Sequence, residues 1–112
     1  VQLCYQIMEA GNLDGSRSPF DQLKTIVDAV GGKIEIIVDG GIRRGTHVLK
    51  ALSLGATACS FGKGFLFALS AGGQKGVEMI LQRMKEELRR DMILLGKKNI
   101  GELSNENIAF RD

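Results

Sequence analysis

Two short apolar segments, each ending in a glycine turn with a cation behind it, constrain the fold of this chain more than any other feature. The first, residues 36–38, leads into Asp39, Gly40 and Gly41 and then into Arg43. A β-branched run that ends in glycine before a helical pattern is typical of a β/α unit. Its turn suits an anion, because glycine lets backbone N–H groups approach phosphate oxygens closely.

The second segment, residues 56–61, repeats this arrangement with Gly62 and Lys63. If parallel strands pair in sequence order, both turns reach the same edge of the sheet. Arg43 would then bind two phosphate oxygens through its forked guanidinium, and Lys63 would act as a point charge. The competing interpretation is an ordinary pair of strand-to-helix turns with solvated cations. The recurrence of the pattern at this spacing favours the phosphate site.

Helical patterns surround these strands. Ser18 and Pro19 predict the start of a helix that stops at Gly31, and Thr46 is expected to cap a second helix that ends at Gly55. A short apolar helix at 65–71, a break at 72–73 and a long amphipathic helix at about 74–95 should follow. The apolar stripe of that last helix contains Val77, Ile80, Leu81, Met84, Leu88 and Met92.

This alternation predicts an α/β fold with a parallel sheet buried on both faces. Two strands are clear and a third, before Asp14, is left open. The 112 residues are too few for a closed β/α barrel, which needs about 250. We therefore expect uncovered strand edges and apolar helix faces, and association with further barrel units or with other copies of the chain as a homo-oligomer.

Composition excludes several classes of protein. With 44% hydrophobic residues, 25% charged residues and a net charge of +2, neither disorder nor a nucleic-acid-binding surface is indicated. No apolar run is long enough for a membrane span and no basic leader is present, so we expect a cytoplasmic protein. The two cysteines lack the spacing of a metal site, and none is expected.

Three blocks of the sequence resemble the C-terminal part of the FMN-dependent α-hydroxy-acid dehydrogenases and oxidases, the family that includes glycolate oxidase, L-lactate dehydrogenase, lactate oxidase and mandelate dehydrogenase. The blocks are LDGSRSPFDQL, IIVDGGIRRGTHVLKALSLGA and FGKGFLFALSAGGQKGVEMILQRMKEELRRDMILLGKKNIGEL. The resemblance runs from Leu13 to about Ile108. It implies the last two to three β/α units of a TIM (β/α)8 barrel plus a long C-terminal helix, with FMN as cofactor and 2-hydroxy acids as substrates.

Carried over by position, the resemblance assigns six residues to the FMN phosphate. They are Asp39, Gly40, Gly41 and Arg43 in the first turn, and Gly62 and Lys63 in the second. The family usually has arginine at the position of Lys63 and commonly proline at that of Gly64. These departures predict weaker or differently oriented phosphate binding and a looser turn.

The resemblance assigns no catalytic residue to this chain. In the family a histidine is the base and an arginine binds the substrate carboxylate, but the aligned positions hold Met8 and Gly11. A thioether cannot take up the proton, and glycine presents no cation. His47, the single histidine of the sequence, stands where the family often has aspartate. It is expected to be an exposed helix residue and no replacement for the base.

Residues 1–12 are accordingly interpreted as an atypical segment, and residues 13–112 as the barrel unit. Permitted codons for residues 1–12, read two bases later, can encode AIMLSNHGGRQ, the family's catalytic loop, which favours a one-base insertion just before the Leu13 codon. Three functions stay open. The chain is part of an FMN-dependent oxidoreductase of 2-hydroxy acids, a catalytically dead truncated or frame-shifted product, or a half-barrel that binds phosphorylated ligands.

Overall fold

The computed structural model describes residues 4–8 and 18–109, which form an α/β fold around a three-stranded parallel sheet. The strands are β1 (Cys4–Met8), β2 (Glu35–Asp39) and β3 (Ala58–Ser60), and the helices are α1 (Pro19–Val30), α2 (Gly45–Ser53) and α3 (Lys63–Leu94). Two 3₁₀ turns follow, Ile100–Glu102 and Asn105–Asn107. The strand left open by the sequence is therefore present.

The strands pair in sequence order, as predicted. Residues Met8 and Asp39 are partners in the pairing of β1 with β2, and Asp39 and Ser60 are partners in that of β2 with β3. The order β1-β2-β3 leaves β1 and β3 with β2 as their one neighbour among the described residues. The carboxyl ends of all three strands therefore meet at one edge of the sheet.

The core lies between one face of β2 and the helices α1 and α2. Ile36 and Val38 are fully buried there against Leu23 of α1 and Ala51 of α2. Ile37, on the opposite face of β2, is only partly buried. Among the described residues, helices thus pack on one face of the sheet, and the expected burial of both faces is not found there.

The start of α1 confirms one prediction, and the start of α2 corrects another. The Ser18 hydroxyl accepts a hydrogen bond from the backbone N–H of Asp21 at 3.2 Å, and Pro19 occupies the first turn of α1 as expected. Thr46 does not cap α2, because the helix begins one residue earlier and the Thr46 hydroxyl donates to Asp91 of α3 at 2.6 Å.

Helix α3 contains the predicted break. Gly73 has φ 59° and ψ −146°, which divides α3 into a first segment, 63–72, and a second segment, 74–94. Of the predicted apolar stripe on the second segment, Met92 is buried, whereas Leu81 is 52% exposed and its assignment to the stripe is wrong. The remaining stripe residues are partly buried.

Gly45 lets α2 approach α3 more closely than any side chain would allow. A Cβ atom at Gly45 would overlap the backbone oxygen of Met84 and lie 2.6 Å from the backbone nitrogen of Leu88. Both atoms belong to the rigid backbone of α3. The substitution would therefore have to move one helix away from the other.

We predict that Gly45→Ala lowers the free energy of unfolding by about 1–3 kcal/mol, although alanine is the better helix former. Gly72→Ala is the matched control, because a Cβ there meets no heavy atom within 4 Å, and it should be neutral or stabilising. Urea unfolding of both variants followed by circular dichroism measures the difference. Equal stabilities would show that the helices are not in close contact at Gly45.

Candidate functional site

The carboxyl ends of β2 and β3 open into one cavity of about 700 Å³. All six residues that the sequence assigned to a phosphate line this cavity: Asp39, Gly40, Gly41, Arg43, Gly62 and Lys63. Sequence reasoning missed Ser60 and Ile42, and the apolar wall formed by Phe67, Ala68 and Ile80. Helical periodicity could have indicated Phe67 and Ala68, which lie one turn beyond Lys63 and Gly64.

The backbone at the cavity leaves room for a ligand. Gly40 and Gly41 have φ values of 108° and 75°, a conformation that favours glycine. A Cβ at Gly41 or at Gly62 would meet no heavy atom within 4 Å. The two glycine turns therefore expose backbone with open space in front of it.

Helix α3 begins at the cavity with its positive end. Its N-cap residue is Gly62, which has no side chain to accept from the first N–H groups of the helix. The first bond of the helix runs from the N–H of Leu66 to the carbonyl oxygen of Gly62 at 3.1 Å. The N–H groups of Lys63 and Gly64 thus have no acceptor within the helix, and such a terminus attracts anions.

The positive end of α2, in contrast, is already neutralised. The buried carboxylate of Glu87 accepts from the Gly45 backbone N–H at 2.9 Å and from the Arg44 guanidinium at 3.3 Å. Burial alone would raise the pKa of Glu87, but the hydrogen bonds from Arg44 and Gly45 and the nearby Arg83 hold it below its ordinary value. Arg44 therefore serves the packing of α2 on α3.

Asp91, one turn further along α3, strengthens this contact. It accepts from the Thr46 hydroxyl, and its other oxygen lies 2.8 Å from the Arg90 guanidinium. Burial opposes the charged form of Asp91, yet the bonds from Thr46 and Arg90 hold its pKa below the ordinary value. Two carboxylates from one face of α3 thus hold the start of α2.

Arg43 and Lys63 are the two cations that line the cavity among the described residues. Arg43 precedes Arg44 directly but does not share its contact with Glu87. Its backbone N–H donates to Nδ1 of His47 at 3.2 Å. The guanidinium of Arg43 and the ammonium of Lys63 supply positive charge beside the two glycine turns, which is the arrangement that a phosphate monoester needs.

The structure corrects the expectation for His47. Its side chain is partly buried, not exposed, because its imidazole turns back toward the loop before α2. Burial and the cations Lys50, Arg44 and Arg43 lower the pKa of His47, whereas Glu87 acts in the opposite direction. His47 does not line the cavity.

Two other kinds of site are absent from the described parts of the chain. Residues 4–8 and 18–109 hold no group of three His, Cys, Asp or Glu side chains that would suit a metal ion. Within the same ranges, no helix combines the length and the apolar character needed to cross a membrane.

We predict that Glu87→Gln lowers the free energy of unfolding by about 1–3 kcal/mol near neutral pH, because an amide bonds Arg44 and Gly45 less strongly than a carboxylate. Glu86→Gln, at the exposed neighbouring position, is the matched control and should change little. Urea unfolding measures both.

The difference in the free energy of unfolding between the parent chain and Glu87→Gln should depend on pH. Since the pKa of Glu87 is lowered from 4.5 in the folded chain, its contribution is complete above that pH and is lost as pH falls through the lower folded value. The difference between the parent chain and Glu87→Gln should shrink accordingly below about pH 4. A difference that stays constant with pH would contradict a charged Glu87.

The model of one protein family matches most of this chain: FMN-dependent dehydrogenase, over residues 10–110. Among curated relatives, human 2-hydroxyacid oxidase 1 is 47% identical over 91 residues, which is 81% of this chain and 25% of that protein. An L-lactate dehydrogenase of Vibrio cholerae serotype O1 is 43% identical over 99 residues, 88% of this chain and 26% of that protein.

Solved structures with flavin-related names also align with most of this chain. A mandelate oxidase variant with a monooxide FMN adduct aligns with a TM-score of 0.82 at 42% identity, covering 88% of this chain and 32% of that chain. A flavocytochrome b2 variant aligns with a TM-score of 0.83 at 35% identity, covering 96% of this chain and 32% of that chain. The chain spans about a quarter of the length of these curated relatives and about a third of these structures.

Proposed function

The chain belongs to the FMN-dependent dehydrogenase family, and we propose that residues 13–112 bind the FMN phosphate at one end of a (β/α)8 barrel that oxidises 2-hydroxy acids to 2-oxo acids. The observation that carries this proposal is the single cavity at the ends of β2 and β3, where all six assigned residues meet. Phosphate sites of such barrels commonly follow the last two strands. The proposal therefore identifies β2 and β3 as those strands.

The residues present fit a phosphate monoester. Gly41 and Gly62 leave the space that a Cβ would fill, and α3 directs its first N–H groups toward the cavity. Arg43 would bind two oxygens, and Lys63 would add a point charge. When bound, FMN supplies a flavin that accepts the two electrons of 2-hydroxy-acid oxidation. The proposed role of this chain is to bind the phosphate and thereby to position the cofactor.

The proton chemistry is proposed to come from other barrel units. Met8, at the position of the family's base, ends β1 beside Asp39 at the cavity edge of the sheet, and Gly11 lies outside the described residues. Neither side chain can accept a proton or bind a carboxylate. The 112-residue chain alone is therefore expected to show no turnover of 2-hydroxy acids.

Uncovered apolar surface supports association with further barrel units. Phe67 is 72% exposed and Leu94 is 78% exposed, although both are large apolar side chains. The strands β1 and β3 each offer an edge without a second neighbour among the described residues. Strand edges and apolar faces of this kind are normally covered in a native protein. A homo-oligomer would cover them in a different way and remains the second arrangement that we propose to test.

A phosphate-binding half-barrel without chemistry is the alternative function. It is favoured by the contact of α2 with α3, because Glu87 and Asp91 hold the two helices together entirely within this chain. Under this alternative the chain binds FMN or another phosphorylated ligand, and no added barrel units restore turnover. The remaining alternative, a dead truncated product, predicts neither binding nor turnover.

We predict that the chain binds FMN and that Arg43→Ala weakens this binding about tenfold or more, because a charge-assisted fork to the phosphate is lost. Arg89→Ala removes the same charge from the exposed face of α3 and should leave the affinity unchanged. Titration of flavin fluorescence measures both. Equal affinity of the parent chain and Arg43→Ala would exclude Arg43 from the site.

Riboflavin and inorganic phosphate complete this experiment. Riboflavin lacks the phosphate, so it should bind much more weakly than FMN, while inorganic phosphate should compete with FMN. Turnover of glycolate or L-lactate by the isolated chain would overturn the assignment of catalysis to other units. Equal binding of riboflavin and FMN would overturn the phosphate site.

We predict that Gly62→Val leaves stability close to that of the parent chain but abolishes measurable FMN binding. The φ of Gly62, −105°, is open to any residue, and the added side chain meets no protein atom at its Cβ. It would instead occupy cavity space beside the first N–H groups of α3. Urea unfolding and FMN titration of the same sample separate the two effects. A variant that folds and still binds FMN would show that the ligand does not approach this turn.

A further inference from the structure

His47 is joined to the phosphate loop by a hydrogen bond that depends on its protonation state. It is the third residue of α2, and its Nδ1 accepts from the backbone N–H of Arg43 at 3.2 Å. A side chain at this position of a helix often accepts from backbone N–H groups just before the helix. Here the acceptor is an imidazole, and Nδ1 can accept only while it carries no proton.

This bond holds the backbone of Arg43, the residue that is proposed to bind two oxygens of the phosphate. Arg43 lines the cavity, and its backbone lies between the positive-φ turn of Gly40 and Gly41 and the start of α2. The neighbouring Arg44 is held independently by Glu87. The His47 bond is therefore the contact from α2 that fixes the backbone of Arg43 itself.

The charges around His47 favour the neutral ring. Lys50 lies on the same helix, Arg43 and Arg44 lie in the preceding loop, and Glu87 faces it from α3. Together with burial, the three cations hold the pKa of His47 below its ordinary value of 6.5, although Glu87 opposes them. At neutral pH the imidazole is thus available as an acceptor, and it loses this role where the pH falls below its lowered pKa.

We propose that His47 is a positioning residue of the phosphate site, whose unprotonated Nδ1 holds the backbone of Arg43 in place, so that phosphate affinity falls when the imidazole is protonated. This inference rests on the proposed binding of FMN. It requires no contact between His47 and the ligand, in agreement with the absence of His47 from the residues that line the cavity.

The test compares FMN affinity of the full chain and of His47→Asn between about pH 5 and pH 8. Asparagine places an oxygen acceptor near the position of Nδ1 but does not titrate. The FMN phosphate itself changes charge near pH 6, and this effect is common to both proteins. The ratio of their dissociation constants therefore isolates the contribution of His47.

We expect a ratio near one above the midpoint at which the His47 ring signals titrate, and a parent chain that binds about three- to tenfold more weakly than His47→Asn below that midpoint, as for the loss of one hydrogen bond. His47→Ala should bind weakly by the same factor at every pH. The contacts of Glu87 and Asp91 should persist at pH 5, because the pKa values of these groups are lowered from 4.5 and 3.8. Circular dichroism at each pH confirms that the variants are folded.

A second measurement does not need FMN. In the free chain, the NMR signal of the Arg43 amide should shift with the same midpoint as the ring signals of His47, and this shift should vanish in His47→Asn. An Arg43 amide that ignores the titration of His47 would overturn the proposal whether or not FMN binds.

The two proposals fail in different ways. A ratio of dissociation constants that stays constant across the titration of the His47 ring, or a parent chain that binds more tightly than His47→Asn once the ring is protonated, would overturn the positioning role while leaving FMN binding intact. Absence of FMN binding to the parent chain at every pH would overturn the proposed function, and the affinity effect of His47 with it. In that case the Arg43 amide shift would show that the contact exists but serves no phosphate site.

Discussion

The buried carboxylate of Glu87 is the contact on which the arrangement of this chain depends. It neutralises the positive end of α2, pairs with Arg44 and lies where Gly45 brings the two helices into close contact. Parallel pairing brings the turns after β2 and β3 to one edge of the sheet, and this contact fixes how the helices that follow those turns lie against each other. A carboxylate with two hydrogen-bonded partners is stable in a buried position, whereas removal of either partner leaves fewer bonds to offset the cost of burying its charge.

Because of this contact, two adjacent arginines have different roles. Arg44 is directed to Glu87 and becomes part of the packing, while Arg43 lines the cavity and keeps its charge available there. The positive end of α2 is neutralised by Glu87, whereas the positive end of α3 has no side-chain cap. The resulting separation explains how a positively charged loop can be stably folded while one of its two arginines still lines the cavity.

Local features were predictable from the sequence. The cap by Ser18, the glycine turns after both strands and the break at Gly73 depend on neighbouring residues, and the structure confirms each of them. The cap role of Thr46 and the exposure of His47 were wrong, because the Thr46 hydroxyl bonds Asp91 of another helix and the His47 imidazole turns back to the backbone of Arg43. Glu87 lies 42 residues from Gly45, and no motif in the sequence joins the two positions. Its burial follows from how two helices meet, which no local pattern specifies.

The apolar residues that line the cavity come from the two segments of α3, before and after Gly73. Phe67 and Ala68 lie on the first segment of α3 and Ile80 lies on the second, so the angle at Gly73 sets the distance between them. Its dihedral angles fall in a region that is essentially restricted to glycine. The width of the apolar half of the cavity is thus encoded in two backbone torsions of a residue that does not line it. A substitution of Gly73 would therefore change the volume of the cavity although every residue that lines it stays the same.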